Sequence, residues 1–168
     1  MLLLTIVQRA ISGTPVWVWG LLAGLVVLGL LQARTRTIHE LRLALLPFAI
    51  AAYSLFGLTL LFGFSAAGAI AWLAGLATSF GAGIALGRLS GARYLRETRR
   101  YVVPGSWIPL AVILAIFLSR YVVAVSLAMH PDLRQAATFA VAASLAYGLL
   151  GGYFPARAAR IWFQRVAG

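Results

Sequence analysis

The chain has no cysteine and no lysine, and it carries only three acidic residues, Glu40, Glu97 and Asp132. Without cysteine there is no disulfide, no thiolate metal site and no thiol redox chemistry within the chain. The absence says nothing about compartment. None of the three acids falls in a long apolar run, so the intramembrane carboxylate typical of proton-coupled carriers is missing. His39 and His130 are the only histidines, and there is no H-E-x-x-H, no Walker loop and no acidic pair. Ser54, Ser79, Ser119, Ser126 and Ser144 lie in or near apolar runs, none with a histidine or acid at reachable depth to make a nucleophile–base pair. A catalytic site, a metal site and a cofactor are therefore not expected.

What is present is apolar. Hydrophobic residues make up 62% of the 168 positions and charged residues 10%, and the mean hydropathy is +0.96. A soluble domain carries roughly 45–50% apolar and about 25% charged residues, so lipid is the expected solvent. A spanning helix needs about 20 mostly apolar residues. Five such stretches can be placed, at about 15–31, 43–62, 66–87, 107–128 and 135–154, leaving short loops and one transmembrane domain over 1–168. The expected fold class is an all-α membrane protein, a five-helix bundle.

Local signals refine these spans. Thr14 is a candidate N-cap with Pro15 at the first helical position. Pro47 falls in the first turns of the second span, and Ser106 caps the fourth, with Pro109 in its first turn. Asp132 and Gln135 have the spacing of a capping box opening the fifth span. Pro131 favours a break at His130, and Pro155 is expected to bend the chain away after the last span. The segment 89–105 reads either as a short hairpin or as an extension of the third helix.

The 14 basic residues are all arginine, which fits high-GC codon usage alongside abundant Ala and Gly. Their positions carry the information. Arg34, Arg36 and Arg42 share the first loop, Arg88, Arg93, Arg96, Arg99 and Arg100 the third, and Arg157, Arg160 and Arg165 the tail. The opposite side holds only Arg9 and Arg134. A nucleic-acid partner is not needed for this excess, because the positive-inside rule accounts for it. It predicts an N-out/C-in orientation in the inner membrane, with anionic lipids at the cytoplasmic face. Trp17 and Trp19 are expected at the outer interface, Trp107 and Trp162 at the inner one, and Trp72 in the packing.

Residues 1–12 are apolar but too short to span, and they lack the basic start of a signal peptide. They are expected to form a short interfacial helix. Residues 156–167 are expected to form a second one, interleaving Arg157, Arg160 and Arg165 with Ile161, Trp162, Phe163 and Val166.

Two features reach toward function. Ala136, Ala140, Ser144, Gly148 and Gly152 recur every four residues, so they share one helix face. A face of small residues lets another backbone approach closely. The partner helix is either in this chain or in a second copy or subunit. Gly20-xxx-Gly24 and Gly83-xxx-Gly87 are shorter versions. The second feature is Arg120, inside the run Trp107–Ala128 with no acid within eleven positions. By rise per residue it lies about 20 Å past Trp107 and about 13 Å before Met129, slightly to the outer side of the midplane. One reading is structural: the side chain snorkels and bonds Ser119, Tyr53, Tyr147 or free carbonyls. The other is a buried anion site, for which Arg120, Tyr121, Tyr53 and Tyr147 are the candidate ligand-binding residues.

The chain also resembles a family of uncharacterised small bacterial inner-membrane proteins. The likeness rests on T-P-V-W-V-W-G (Thr14–Gly20), G-A-R-Y (Gly91–Tyr94), V-P-G-S-W-I-P-L (Val103–Leu110) and F-L-S-R-Y (Phe117–Tyr121). It covers most of the chain, implies a basic residue at the Arg120 position among members, and supplies no activity. The functions left open are binding or transport of a small anionic solute or lipid, or service as an accessory or assembly subunit of a larger membrane complex. A membrane enzyme is the least supported.

Overall fold

The computed structural model describes residues 15–86, 92–95, 98 and 100–163. The expected interfacial helix at 1–12, the Thr14 cap, Gly87 of the third-span small pair, and Arg9, Arg88, Arg96, Glu97, Arg99 and Arg165 lie outside them.

The chain runs α1 (Val16–Gln32), β1 (Arg36–His39), α2 (Glu40–Phe62), α3 (Ala66–Leu86), β2 (Arg93–Leu95), β3 (Arg100–Val103), α4 (Ile108–Met129), a 3-10 turn (Pro131–Arg134), α5 (Ala137–Gly151) and α6 (Tyr153–Phe163). Ala66–Leu86, Ile108–Met129 and the continuous stretch Ala137–Phe163 are long and apolar enough to cross a membrane. Val16–Gln32 and Pro47–Phe62 are shorter apolar helices.

Helix ends follow local chemistry, not always as expected. Pro15 occupies the N-cap of α1 with extended φ and ψ, not the first helical position. His39 caps α2, its Nδ1 accepting from the Leu41 N–H at 3.3 Å. That cap starts the helix at Glu40, so Pro47 sits in the helix interior, where it lacks an N–H for the ladder. Gly63 ends α2 at φ +75°, a conformation in which a Cβ is penalised. Ser65 opens α3, its Oγ accepting from the Gly68 N–H at 3.4 Å, and Ser106 Oγ accepts from Ile108 N–H at the start of α4. Ser65→Ala is expected to cost about 1 kcal/mol, the usual worth of an N-cap hydroxyl, read as a lower midpoint in thermal unfolding.

The capping-box expectation fails. Asp132 lies in the 3-10 turn, where its carbonyl accepts from the Gln135 N–H at 3.0 Å. Ala136 caps α5 with no side-chain hydrogen bond, and the helix starts at Ala137. Pro131 at the head of the turn consumes the residues that the box would have used. The break after α5 comes at Gly152, which keeps near-helical torsions, so α6 continues in nearly the same direction and Pro155 sits harmlessly in its first turn.

An all-α fold is also incomplete. Within 89–105 the described strands β2 and β3 pair, and β1 from the first loop adds to the other edge of β3 in the order β1-β3-β2, antiparallel throughout. Arg36 pairs Val103 and His39 pairs Arg100. Strand alternation turns Tyr101 and Val103 inward, 0% and 1% exposed. They close a small core with Leu43 and Ile161, flanked by Ile38 and Ala158. Sheet and α6 thus form one cap at one end of the bundle, gathering the first loop, the third loop and the tail.

The main core joins Leu58, Trp72, Val123, Leu127, Ala143 and Tyr147. Its axis is the α3–α5 pair. A Cβ on Gly148 would meet the Trp72 carbonyl, one on Gly75 the Leu145 carbonyl, and one on Gly152 would lie 2.6 Å from the Leu76 carbonyl. Opposite them α1 packs on α4, with Gly29 against Leu110 and the Ser106 N–H donating to the Gln32 carbonyl at 3.2 Å.

Candidate functional site

Arg120 lies on α4 in line with Val123 and Leu127, three and seven residues on, both buried in the main core. Residues at that spacing share a helix face. The guanidinium therefore starts from the face that packs against the bundle, and the residue is partly buried. Two helices complete its surroundings. On α2, the Tyr53 ring centroid lies 5.1 Å from Arg120 Cζ. On α5, the Tyr147 ring centroid lies 5.5 Å away. Both distances are within cation–π range, worth about 0.5–1 kcal/mol when exposed and about 2 when desolvated.

The space for the guanidinium comes from Gly57, one helical turn beyond Tyr53. A Cβ there would stand 3.2 Å from Arg120 Nη2 and 3.4 Å from Nη1. Gly57 has no signal of its own in the sequence, where it is a lone glycine in an Ala/Gly-rich span. Its i, i+4 relation to Tyr53 was the one clue available.

The cradle is rich in donors. Arg120 offers five N–H groups and no acceptor. Tyr147 is 4% exposed, and its hydroxyl has no hydrogen-bond partner among the described residues. The indole N–H of Trp72, in the same core cluster, is buried without a partner as well. Buried Tyr and Trp usually find a partner, and an orphaned donor costs about 1–3 kcal/mol. No carboxylate pairs with Arg120 among the described residues. Tyr53, by contrast, is 66% exposed, so one wall of the cradle faces outward from the bundle.

Of the residues singled out from the sequence, Arg120, Tyr53 and Tyr147 come together. Tyr121 stacks on Phe117 of its own helix, centroids 6.4 Å apart at 13°, and leaves α4 in another direction than Arg120. Consecutive helical residues diverge by about 100°, which explains the separation. Ser119 donates to the Ile116 carbonyl at 2.9 Å, so its hydroxyl proton is not offered elsewhere. One turn from the cradle, a cleft of about 20 Å³ lies between α2, α3 and α5, lined by Leu58, Phe62, Gly68, Ala140 and Ser144 among others. That is room for about one water.

The small-residue face of α5 is placed too. Gly148 and Gly152 lie against the α3 backbone, and Ser144 Oγ would be 3.3 Å from a Cβ on Gly68. Ala140 borders the cleft. No group of three or more His, Asp or Glu side chains suited to a metal occurs among the described residues.

Neither a curated protein nor a solved structure matches the chain. A family model does match, over residues 1–167. The chain belongs to that family, the family of unknown function DUF6622.

Proposed function

We propose that this protein is a five-span bundle of the bacterial inner membrane, N-out and C-in, that binds a small oxyanion at Arg120, taken from a solute or a lipid headgroup. One observation carries the binding reading: a guanidinium held between two tyrosine faces, beside a buried unpartnered phenol, with no carboxylate paired to it among the described residues. Ring faces offset part of the charge but accept none of its N–H groups in the plane. An oxyanion accepts from a guanidinium bidentately and offers further lone pairs to a phenol. The outward Tyr53 wall leaves a lateral route for a lipid-derived anion.

The orientation rests on charge. Arg34, Arg36, Arg100, Arg157 and Arg160 belong to the cap that gathers two loops and the tail, while the turn after α4 balances Arg134 with Asp132. The basic end is the cytoplasmic one by the positive-inside rule. The chain's lack of cysteine makes this testable with single cysteines. Thr37→Cys in β1 and Gln135→Cys after α4 are exposed positions. In spheroplasts an impermeant maleimide is expected to label Gln135→Cys at once and Thr37→Cys only after permeabilisation. The reverse pattern overturns the orientation.

The binding reading is tested by thermal unfolding in zwitterionic detergent during titration with an anionic lipid. A ligand that binds the folded state alone raises stability by RT ln(1 + [L]/Kd). The wild type is expected to gain at least about 2.7 kcal/mol at a hundredfold excess over Kd, and Arg120→Gln to gain much less. Equal gains in both proteins refute the site.

The accessory-subunit reading keeps one observation. The α5 face that would have met a partner lies against α3 of the same chain, but Gly20 and Gly24 of α1 have open space among the described residues where a Cβ would stand. A partner helix fits there by the small-xxx-small mode.

A further inference from the structure

We propose a second oxyanion site, in the cap, in which Arg36, Arg157 and Arg160 clasp a phosphate group. It stands apart from Arg120 and uses the membrane reading only for the source of the phosphate.

The geometry starts with strand alternation. In β1, Arg36 and Ile38 point to one face and Thr37 to the other, and the burial pattern agrees. Ile38 packs on the cap core that contains Ile161 of α6, with Ala158 beside it. Arg36 therefore stands on the face that α6 covers. Arg157 and Arg160, three residues apart, share a helix face, about 100° round α6 from the Ala158–Ile161 face that meets the cap core.

Each of the first two guanidinia is steered by a neutral acceptor. Arg36 Nη2 donates to Gln32 Oε1 at 3.3 Å, and Arg157 Nη1 donates to the Tyr153 hydroxyl at 3.4 Å. Both acceptors lie four residues earlier, so they orient the side chains and neutralise nothing. Arg160 Nε is buried with no hydrogen-bond partner among the described residues. No carboxylate pairs with any of the three among the described residues. Burial, and then the nearby charge of Arg157, hold the Arg36 pKa below its ordinary value. An arginine does not deprotonate in that situation, so two part-buried cations lie within electrostatic reach of each other.

A counter-anion relieves the repulsion of like charges gathered this way. Three guanidinia present forked donors to more than two oxygens, which suits phosphate better than carboxylate. Trp162 and Phe163 remain exposed at the end of α6, where aromatic side chains suit headgroup depth. A phospholipid headgroup and free phosphate share this chemistry.

The test uses the full chain in zwitterionic detergent and reads thermal unfolding. The probes are short-chain phosphatidic acid, inorganic phosphate and, as control, short-chain phosphatidylcholine. Phosphatidic acid is expected to stabilise the wild type, with apparent affinity at least tenfold weaker in Arg36→Gln and in Arg157→Gln. Arg157→Lys keeps the charge but loses the fork and is expected to fall between. Arg134→Gln, at the other end, retains wild-type affinity, and the series is repeated in an Arg120→Gln background so that the cap alone responds. Competition by inorganic phosphate assigns a free anion, and response to the lipid alone assigns a headgroup; either upholds the site. Equal stabilisation by phosphatidylcholine overturns it. So does a higher unfolding temperature of Arg157→Gln with and without phosphate, which would show a bare repulsive cluster.

Discussion

Gly148→Leu is expected to destroy the bundle. The position meets the Trp72 carbonyl and, at 3.0 Å, the Leu76 amide nitrogen of α3. These are backbone atoms, so no side chain can swing aside. Gly75 repeats the contact in reverse, against the Leu145 carbonyl and the Leu149 nitrogen at 2.9 Å. Ordinary overpacking costs about 1–3 kcal/mol because rotamers and backbone yield. Here two helix axes must part, and in lipid no hydrophobic drive brings them back, since tails are as apolar as leucine. The expected loss is at least about 3 kcal/mol by that scale. In mild detergent the variant should elute as aggregate, or melt far below the wild type. Gly24→Leu on α1, which has open space, is the matched control and should behave as wild type in the isolated chain. A well-folded Gly148→Leu protein would remove the α3–α5 pair as the axis of the fold.

Arg120→Gln separates the two readings of the cradle by the sign of its effect. If the arginine is structural, the two ring contacts are lost and stability falls by about 1–2 kcal/mol. If the arginine awaits an anion, the variant removes a poorly compensated buried charge. The ligand-free protein is then as stable as wild type or more so, while stabilisation by an anion disappears. Tyr147→Phe sharpens the contrast. It keeps a ring face for the guanidinium and deletes a buried hydroxyl without a partner, so the empty protein should gain about 1 kcal/mol or more. Anion affinity should nonetheless drop about tenfold, the worth of one charge-assisted hydrogen bond. Gains in both stability and affinity would place the hydroxyl outside the site.

The parts legible in the sequence were those dictated by local periodicity and charge. The apolar runs at 66–87 and 107–128 coincide with α3 and α4 to within a residue or two, because length and hydrophobicity alone specify a helix in lipid. Arg120 stood out because a lone cation in such a run has no local explanation, and Tyr53 and Tyr147 followed as aromatic hydroxyls on other apolar helices. What escaped was non-local or context-dependent. The four residues of β1 (R-T-I-H) have no visible strand signal, since their partner β3 lies more than sixty positions away. His39, one of only two histidines, carries no capping signal in the sequence and is a helix cap. Asp132 and Gln135 carried a capping-box spacing that Pro131 overrode by nucleating a 3-10 turn. Gly57 was invisible because its role exists only once α2 lies beside α4.

On the proposed function, Arg120 holds an oxyanion within the bundle. Native mass spectrometry of protein released from mild detergent tests it most directly, with wild type beside Arg120→Gln and Arg157→Gln. An anionic adduct is expected on the wild type, lost in Arg120→Gln and kept in Arg157→Gln. Bare wild-type protein, or the same adducts on wild type and Arg120→Gln, would contradict it.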